Sequence, residues 1–60
     1  MKRIYIRDSD EELLQAVNNA LNRNFIEYDI DDGGRYMIDD DNIEKAIKIM
    51  ESVGAEIDII

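Results

Sequence analysis

Four short segments of the chain alternate between apolar and polar residues, a pattern that predicts half-buried β-strands. The first covers residues 3–7, in which Ile4 and Ile6 would face the core. The other three cover residues 26–31, 35–38 and 55–60. Their inward positions are taken by apolar and aromatic residues, namely Ile26, Tyr28, Ile30, Tyr36, Ile38, Ile57 and Ile59.

Two segments between the strands instead repeat their apolar residues every three or four positions, as amphipathic helices do. The first stripe consists of Leu13, Leu14, Ala16, Val17, Ala20 and Leu21, and the second of Ile43, Ala46, Ile47, Met50 and Val53. Ser9 followed by Glu12 matches a capping box and would start the first helix. Asp41 with Glu44 would start the second helix in the same way.

Residues that tolerate a left-handed backbone mark the ends of these helices and one turn between strands. Asn24 would end the first helix and Gly54 the second. The run Asp32-Gly33-Gly34 predicts a tight hairpin turn of the primed type between the second and third strands. These two strands are therefore expected to be antiparallel neighbours.

The predicted order of elements is βαββαβ, in a single compact domain over residues 1–60. The apolar stripe of the first helix recurs 30 residues later in the second, so the chain divides into two βαβ halves. Such split units pack both helices on one face of a four-stranded antiparallel sheet, most often with strand order 4-1-3-2. We therefore predict an α+β fold of the ferredoxin-like plait type. Proteins with this fold have many unrelated activities, so the fold alone does not indicate a function.

The sheet face turned away from the helices is predicted to carry a basic centre between acidic edges. Its outward residues are Arg3, Tyr5 and Arg7 on strand one, Glu27, Asp29 and Asp31 on strand two, Arg35, Met37 and Asp39 on strand three, and Glu56 and Asp58 on strand four. Cross-strand ion pairs are expected on this face. Arg3 and Arg7 would pair with strand four, and Arg35 with strand two.

Composition excludes several classes of site. The chain has 15 acidic and 7 basic side chains, a net charge of −8, and no histidine or cysteine. Disulfides, thiolate or imidazole metal sites and a cysteine nucleophile are therefore ruled out. No apolar run approaches the roughly 20 residues of a membrane span, which favours a soluble cytoplasmic protein.

The chain contains few residues that could act in catalysis. Ser9 and Ser52 are the only hydroxyl-bearing residues besides the tyrosines, and no histidine is present to activate either serine. Gly33-Gly34 lacks the lysine and the serine or threonine that follow the glycines of a phosphate-binding loop. The sequence therefore predicts a protein that is not an enzyme and that needs no cofactor.

One acidic run is reminiscent of a calcium site. Asp29-Ile30-Asp31 begins like the loop of an EF-hand, and Gly34 takes its sixth position. The fifth position is Gly33 and the twelfth is Asp40, where that loop needs an oxygen ligand and a bidentate glutamate. No specific metal site is predicted.

The spacing of the carboxylates suggests a different use for the acidic residues. Carboxylates two residues apart on a strand, such as Glu27 and Asp29, repeat every ~6.8 Å along one face. Such a surface is attracted to basic clefts. In size and charge the chain resembles small acidic inhibitors made by phages and mobile elements. The resemblance implies a protein-interaction module that inhibits a nucleic-acid-processing protein by nucleic-acid mimicry. The acidic surface would consist of Glu27, Asp29, Asp31, Asp32, Asp39 and Asp40.

A second interpretation is a dimeric regulatory domain that binds a small metabolite at its interface. The dimer or ligand face would then consist of Tyr5, Arg7, Arg35 and Met37, and a homodimer is expected. Direct binding of nucleic acid is not expected, because phosphates repel a chain with a net charge of −8.

Overall fold

The computed structural model describes all 60 residues and contains four strands and two α-helices. In chain order the elements are β1 (Lys2–Arg7), α1 (Glu11–Arg23), β2 (Asp29–Ile30), β3 (Tyr36–Ile38), a 3₁₀ turn (Asp40–Asn42), α2 (Ile43–Ser52) and β4 (Glu56–Ile59). The predicted βαββαβ order is therefore confirmed.

The four strands form one antiparallel sheet with the order β2-β3-β1-β4. Read from the opposite edge, this is the predicted order 4-1-3-2. Ile4 of β1 lies at the centre of the sheet, where its Cα partners are Tyr36 on β3 and Ile59 on β4. Strands β2 and β4 therefore occupy the two edges.

The core lies on one face of this sheet and is entirely apolar apart from a tyrosine hydroxyl. Both helices and the two central strands contribute to a single buried cluster, which consists of Ile4, Ile6, Val17, Leu21, Ile26, Tyr36, Ile38, Ala46, Met50 and Ala55. The Tyr36 hydroxyl donates a hydrogen bond to Oδ1 of Asn18 on α1. No buried side-chain polar atom lacks a partner. The predicted inward orientation of Ile4 and Ile6 is confirmed.

Two isoleucines predicted to face the core are instead largely exposed. Ile30 on β2 is 51% exposed and Ile59 on β4 is 54% exposed. Both stand on edge strands, which have a neighbouring strand on one side only. Edge position reduces burial even when the alternation of the strand is correct. On helix α1, Ala16 belongs to the predicted stripe but is also exposed.

Helix α1 begins one residue later than a Ser9 cap would place it. The N-cap is Asp10, whose Oδ1 accepts a hydrogen bond of 2.8 Å from the backbone N–H of Leu13. Asp8 has a positive φ of 51°, which turns the chain before the helix. Aspartate caps a helix as well as serine does and adds a negative charge at the positive end of the helix dipole. The predicted capping box at Ser9 is therefore wrong.

Helix α1 ends in a Schellman motif, in which the N–H groups of the two residues after the C-cap bond back to the last turn. The N–H of Phe25 donates to the carbonyl of Asn22, and that of Ile26 to the carbonyl of Leu21. Asn24 was predicted to be left-handed, but its φ is −96° and its side-chain Nδ2 donates to the carbonyl of Ala20. The positive φ of 59° falls on Phe25 instead.

Helix α2 starts later than predicted and ends as predicted. Asp41 lies in the 3₁₀ turn rather than at a cap, because the N–H of Asn42 bonds to the carbonyl of Asp39 and tightens the backbone there. The end at Gly54 is confirmed by its positive φ of 89°. The bonds from Gly54 to Glu51 and from Ala55 to Met50 repeat the Schellman pattern of α1.

The β2–β3 hairpin has a three-residue loop and not the predicted primed turn. The N–H of Asp31 donates to the carbonyl of Arg35 and that of Gly34 to the carbonyl of Asp31, and Gly34 is the only loop residue with positive φ, at 79°. This pattern is typical of a type I turn followed by a glycine bulge. Oδ1 of Asp31 accepts from the N–H groups of Gly33 and Arg35, at 2.9 and 2.8 Å, which favours this turn over a primed one.

Strand β2 is much shorter than the predicted segment 26–31. The pairing of Asp29 with Met37 would, two residues further along each strand, place Glu27 opposite Asp39. Like charges directly opposite each other destabilise an antiparallel pair. The repulsion gives a physical reason for the ladder to stop at Asp29.

Candidate functional site

The three arginines of the open sheet face are all ion-paired within the chain. Arg7 Nε lies 3.2 Å from Oδ2 of Asp58, and Arg35 Nη1 lies 3.8 Å from Oδ2 of Asp31, as predicted. Arg3 was expected to pair with β4, but its Nε lies 3.4 Å from Oδ2 of Asp31. Continuing the β1–β4 register sets Ile60 opposite Arg3, so no acidic side chain of β4 lies at that level.

Asp31 is the most heavily used carboxylate of this face. It accepts two backbone hydrogen bonds in the hairpin loop and pairs with both Arg3 and Arg35. The backbone N–H of Arg35, followed by that of Gly33 and by the two guanidinium charges, lowers the pKa of Asp31 below its ordinary value despite an opposing effect of burial. Asp31 therefore holds the hairpin to the sheet.

A groove of about 690 Å³ lies where the end of α1, the segment leading into β2 and the end of β3 meet. Five of its nine lining residues are apolar or aromatic; the full lining consists of Met1, Asn22, Phe25, Ile26, Glu27, Tyr28, Asp29, Met37 and Asp39. The three carboxylates in this lining form no ion pair within the chain. The groove therefore combines apolar contact area with uncompensated negative charge.

The structure divides the predicted acidic surface between two ends of the sheet. Glu27, Asp29 and Asp39 line the groove, whereas Asp31 and Asp32 lie in the hairpin loop. Asp40 is exposed beside the groove and lies 3.3 Å from the amino group of Met1.

The residues of the predicted dimer face are also separated. Met37 lines the groove, while Arg7 and Arg35 are held by ion pairs towards opposite edges of the sheet. Tyr5, which is 42% exposed, lies opposite Asp58 on β4. Of these four residues, only Met37 contributes to the groove.

Phe25 is an aromatic groove residue to which no sequence pattern gave a role. It is the only phenylalanine of the chain and is 91% exposed. It belongs neither to the helical stripe nor to the inward positions of the following strand. That mismatch between a large apolar residue and both periodicities is the signal that could have identified it.

Three other features of the chain bear on metal binding, on the serine hydroxyls and on membrane insertion. No group of three or more carboxylates converges as a metal ion would require. Ser52 Oγ donates to the carbonyl of Ile49 within α2. Neither helix is both long and apolar enough to cross a membrane.

Comparison of this chain with models of known protein families, with characterised proteins and with solved structures finds no match in any of the three.

Phe25 makes the end of α1 less stable than it could be, and replacing it tests this directly. The equivalent position of α2 is Gly54, which adopts positive φ without the steric cost that a Cβ imposes. Because the Phe25 ring buries almost no area, Phe25→Gly should raise the free energy of unfolding by about 1 kcal/mol. Urea denaturation followed by circular dichroism measures the change. A less stable variant would show that the Phe25 ring makes stabilising contacts within the chain.

Proposed function

We propose that this protein is a non-enzymatic interaction module that binds a basic surface of a partner protein through its acidic groove. We infer that its architecture is a ferredoxin-like plait, on the evidence of its βαββαβ order and strand order. The partner is a nucleic-acid-processing protein of the same cytoplasmic compartment. The module inhibits that protein by occupying the cleft that would receive nucleic acid, in the manner of phage and mobile-element inhibitors.

The observation that carries this proposal is the segregation of charge. The arginines of the sheet are neutralised by Asp31 and Asp58, while the carboxylates in the groove have no cation of their own. Only three of the 15 acidic side chains, Asp31, Asp40 and Asp58, take part in any ion pair. The carboxylates of the groove are thus available to a partner, whereas the three arginines of the sheet face are already paired within the chain.

A basic protein fits this surface better than a nucleic acid does. Phosphates are repelled by a net charge of −8, and the three arginines of the sheet face are already paired with carboxylates of the chain. Glu27 and Asp29 stand two residues apart in sequence, and both line the groove together with Asp39. Repeated negative charges of this kind attract the basic clefts of nucleic-acid-binding proteins and raise the rate of association.

Capture from host lysate on the immobilised protein tests the proposal. The expected partner is basic, is eluted by a short duplex DNA, and is released more readily as the salt concentration rises. The triple variant E27Q/D29N/D39N should bind it about tenfold more weakly, which corresponds to 1.4 kcal/mol. These residues are exposed and unpaired, so the variant should keep its fold, which circular dichroism checks.

A charge-matched variant serves as the control. E12Q/E44Q/E51Q removes three negative charges from exposed helix positions outside the groove. It should reduce capture much less than the groove variant does. Equal loss in both variants, or capture that responds to neither DNA nor salt, would refute inhibition by mimicry.

The second interpretation, metabolite binding at a dimer interface, has the groove volume in its favour. About 690 Å³ lies within the ~300–1,000 Å³ range of small-molecule sites. Such sites bury most of their ligand, whereas Phe25 at this groove is 91% exposed. We therefore favour a protein partner. Homodimerisation through Tyr5, Arg7, Arg35 and Met37 stays a prediction.

A further inference from the structure

We propose that the groove holds one particular kind of partner segment, in which an apolar side chain stands next to a lysine or arginine. The apolar side chain lies against the ring of Phe25, and the cationic head lies between Glu27 and Asp39. This inference rests on the proposed function, because it names the chemistry of the segment through which the basic partner binds.

The first argument is the cost of keeping a phenylalanine at position 25. Both helices end in the same hydrogen-bonded motif, with Gly54 at the left-handed position of α2 and Phe25 at that of α1. A bulky side chain with positive φ is rare, and such strain is concentrated at functional sites. The ring gains nothing inside the chain, since it is 91% exposed. Contact with an apolar group of a partner gives the ring a use.

The second argument is the pair of carboxylates that would face each other if β2 were longer. Continued past Asp29, the β2–β3 register would set Glu27 opposite Asp39; both residues line the groove, and neither forms an ion pair within the chain. A cation inserted between two like charges is attracted by both and removes their repulsion. The negative charges of Glu27 and Asp39, whose repulsion would oppose a longer β2, therefore favour binding of a cationic side chain between them.

The third argument is the apolar surface that continues from Phe25. Met37 and the half-buried Tyr28 line the same groove as the two carboxylates. Methionine adapts its shape to different partners, and the aliphatic stem of a lysine or arginine packs on apolar surface while its head stays with the charges. The groove thus matches both parts of a basic side chain and an apolar neighbour.

Three synthetic peptides test this inference without the natural partner. The first alternates leucine and lysine, the second replaces leucine by serine, and the third replaces lysine by glutamate. Titration of the isotope-labelled protein, followed by backbone amide NMR, locates each peptide and measures its affinity. The leucine–lysine peptide should shift the amides of Phe25, Glu27 and Asp39, and should bind about tenfold more tightly than the other two.

Variants then separate the two halves of the site. F25G and the double variant E27Q/D39N should each weaken the leucine–lysine peptide about tenfold. F25Y keeps an aromatic ring with the same backbone and should bind normally. The charge-matched control E44Q/E51Q should change the affinity much less. F25G is informative because this variant is expected to be at least as stable as the natural chain.

The outcomes that would overturn the inference are specific. Equal binding of the leucine–lysine and serine–lysine peptides, or amide shifts spread over all acidic surfaces, would show attraction by net charge alone. A captured basic partner that still binds F25G would refute this groove assignment while leaving inhibition by mimicry intact. Peptide binding in the groove together with a captured partner that DNA cannot displace would refute the mimicry and retain the groove.

Discussion

Leu21→Ala should unfold a large fraction of the protein at room temperature. Leu21 is fully buried in the cluster that joins the two helices to the sheet. Truncation of a buried leucine costs about 3–5 kcal/mol through lost burial and the cavity left behind. A domain of 60 residues has a total stability of only about 3–9 kcal/mol at the usual values per residue. The substitution therefore removes a large part of the stability.

The effect is measured by urea denaturation monitored by circular dichroism. Leu14→Ala is the matched control, since it makes the same chemical change on the same helix at a half-buried position. The control should keep most of its helical signal without urea and unfold at a midpoint closer to that of the natural chain. Equal loss of stability in the two variants would contradict the assignment of Leu21 to the centre of the core.

Tyr36→Phe should reduce the free energy of unfolding at neutral pH. It should also remove the part of the pH dependence of stability that comes from the phenol of Tyr36. The hydroxyl of Tyr36 donates to Asn18, and a hydrogen bond of this kind contributes about 1 kcal/mol. Burial raises the pKa of Tyr36 above its ordinary value of 10.0, and the nearby Tyr28 raises it further. The folded chain then holds the phenolic proton more tightly than the unfolded chain does. The stability contributed by this proton is complete below pH 10 and is lost as the pH rises above that value.

Urea unfolding of the natural chain and the variant at several pH values between 8 and 11 tests this prediction. The natural chain should lose more stability than Tyr36→Phe over the upper part of this range, because only the natural chain carries the phenolic proton of Tyr36. Tyr5→Phe, on the exposed face, should behave like the natural chain. Parallel stability profiles for the natural chain and Tyr36→Phe would show that the phenol is not held in the core.

The order and type of the elements could be predicted because they depend on local periodicity. Ile4 and Ile6 alternate with charged residues, and Val17 and Leu21 stand four positions apart, so each pattern fits one element only. The strand order then followed from the short connections and the need to bury one sheet face. The exact cap of α1, the hairpin turn and the partner of Arg3 did not follow. Several residues of similar propensity competed for each of these roles, and small differences in geometry decided between them.

The sequence also sets chemical limits on the possible functions of the protein. A net charge of −8 and the lack of histidine and cysteine limit the partners and the reactions whatever the fold. The acidic surface was predicted residue by residue, but as one surface. In the structure Asp31 is used by the hairpin and by two arginines, so it is removed from the carboxylates that line the groove.

The groove itself required the folded chain. Phe25 lies more than ten residues before Met37 and Asp39 in sequence, and only the pairing of β2 with β3 and the turn after α1 bring them together. Periodicity reports which side of an element meets the core, since that depends on neighbours three or four residues away. It carries no information about which exposed side chains from different elements share a space, because that depends on contacts between distant parts of the chain.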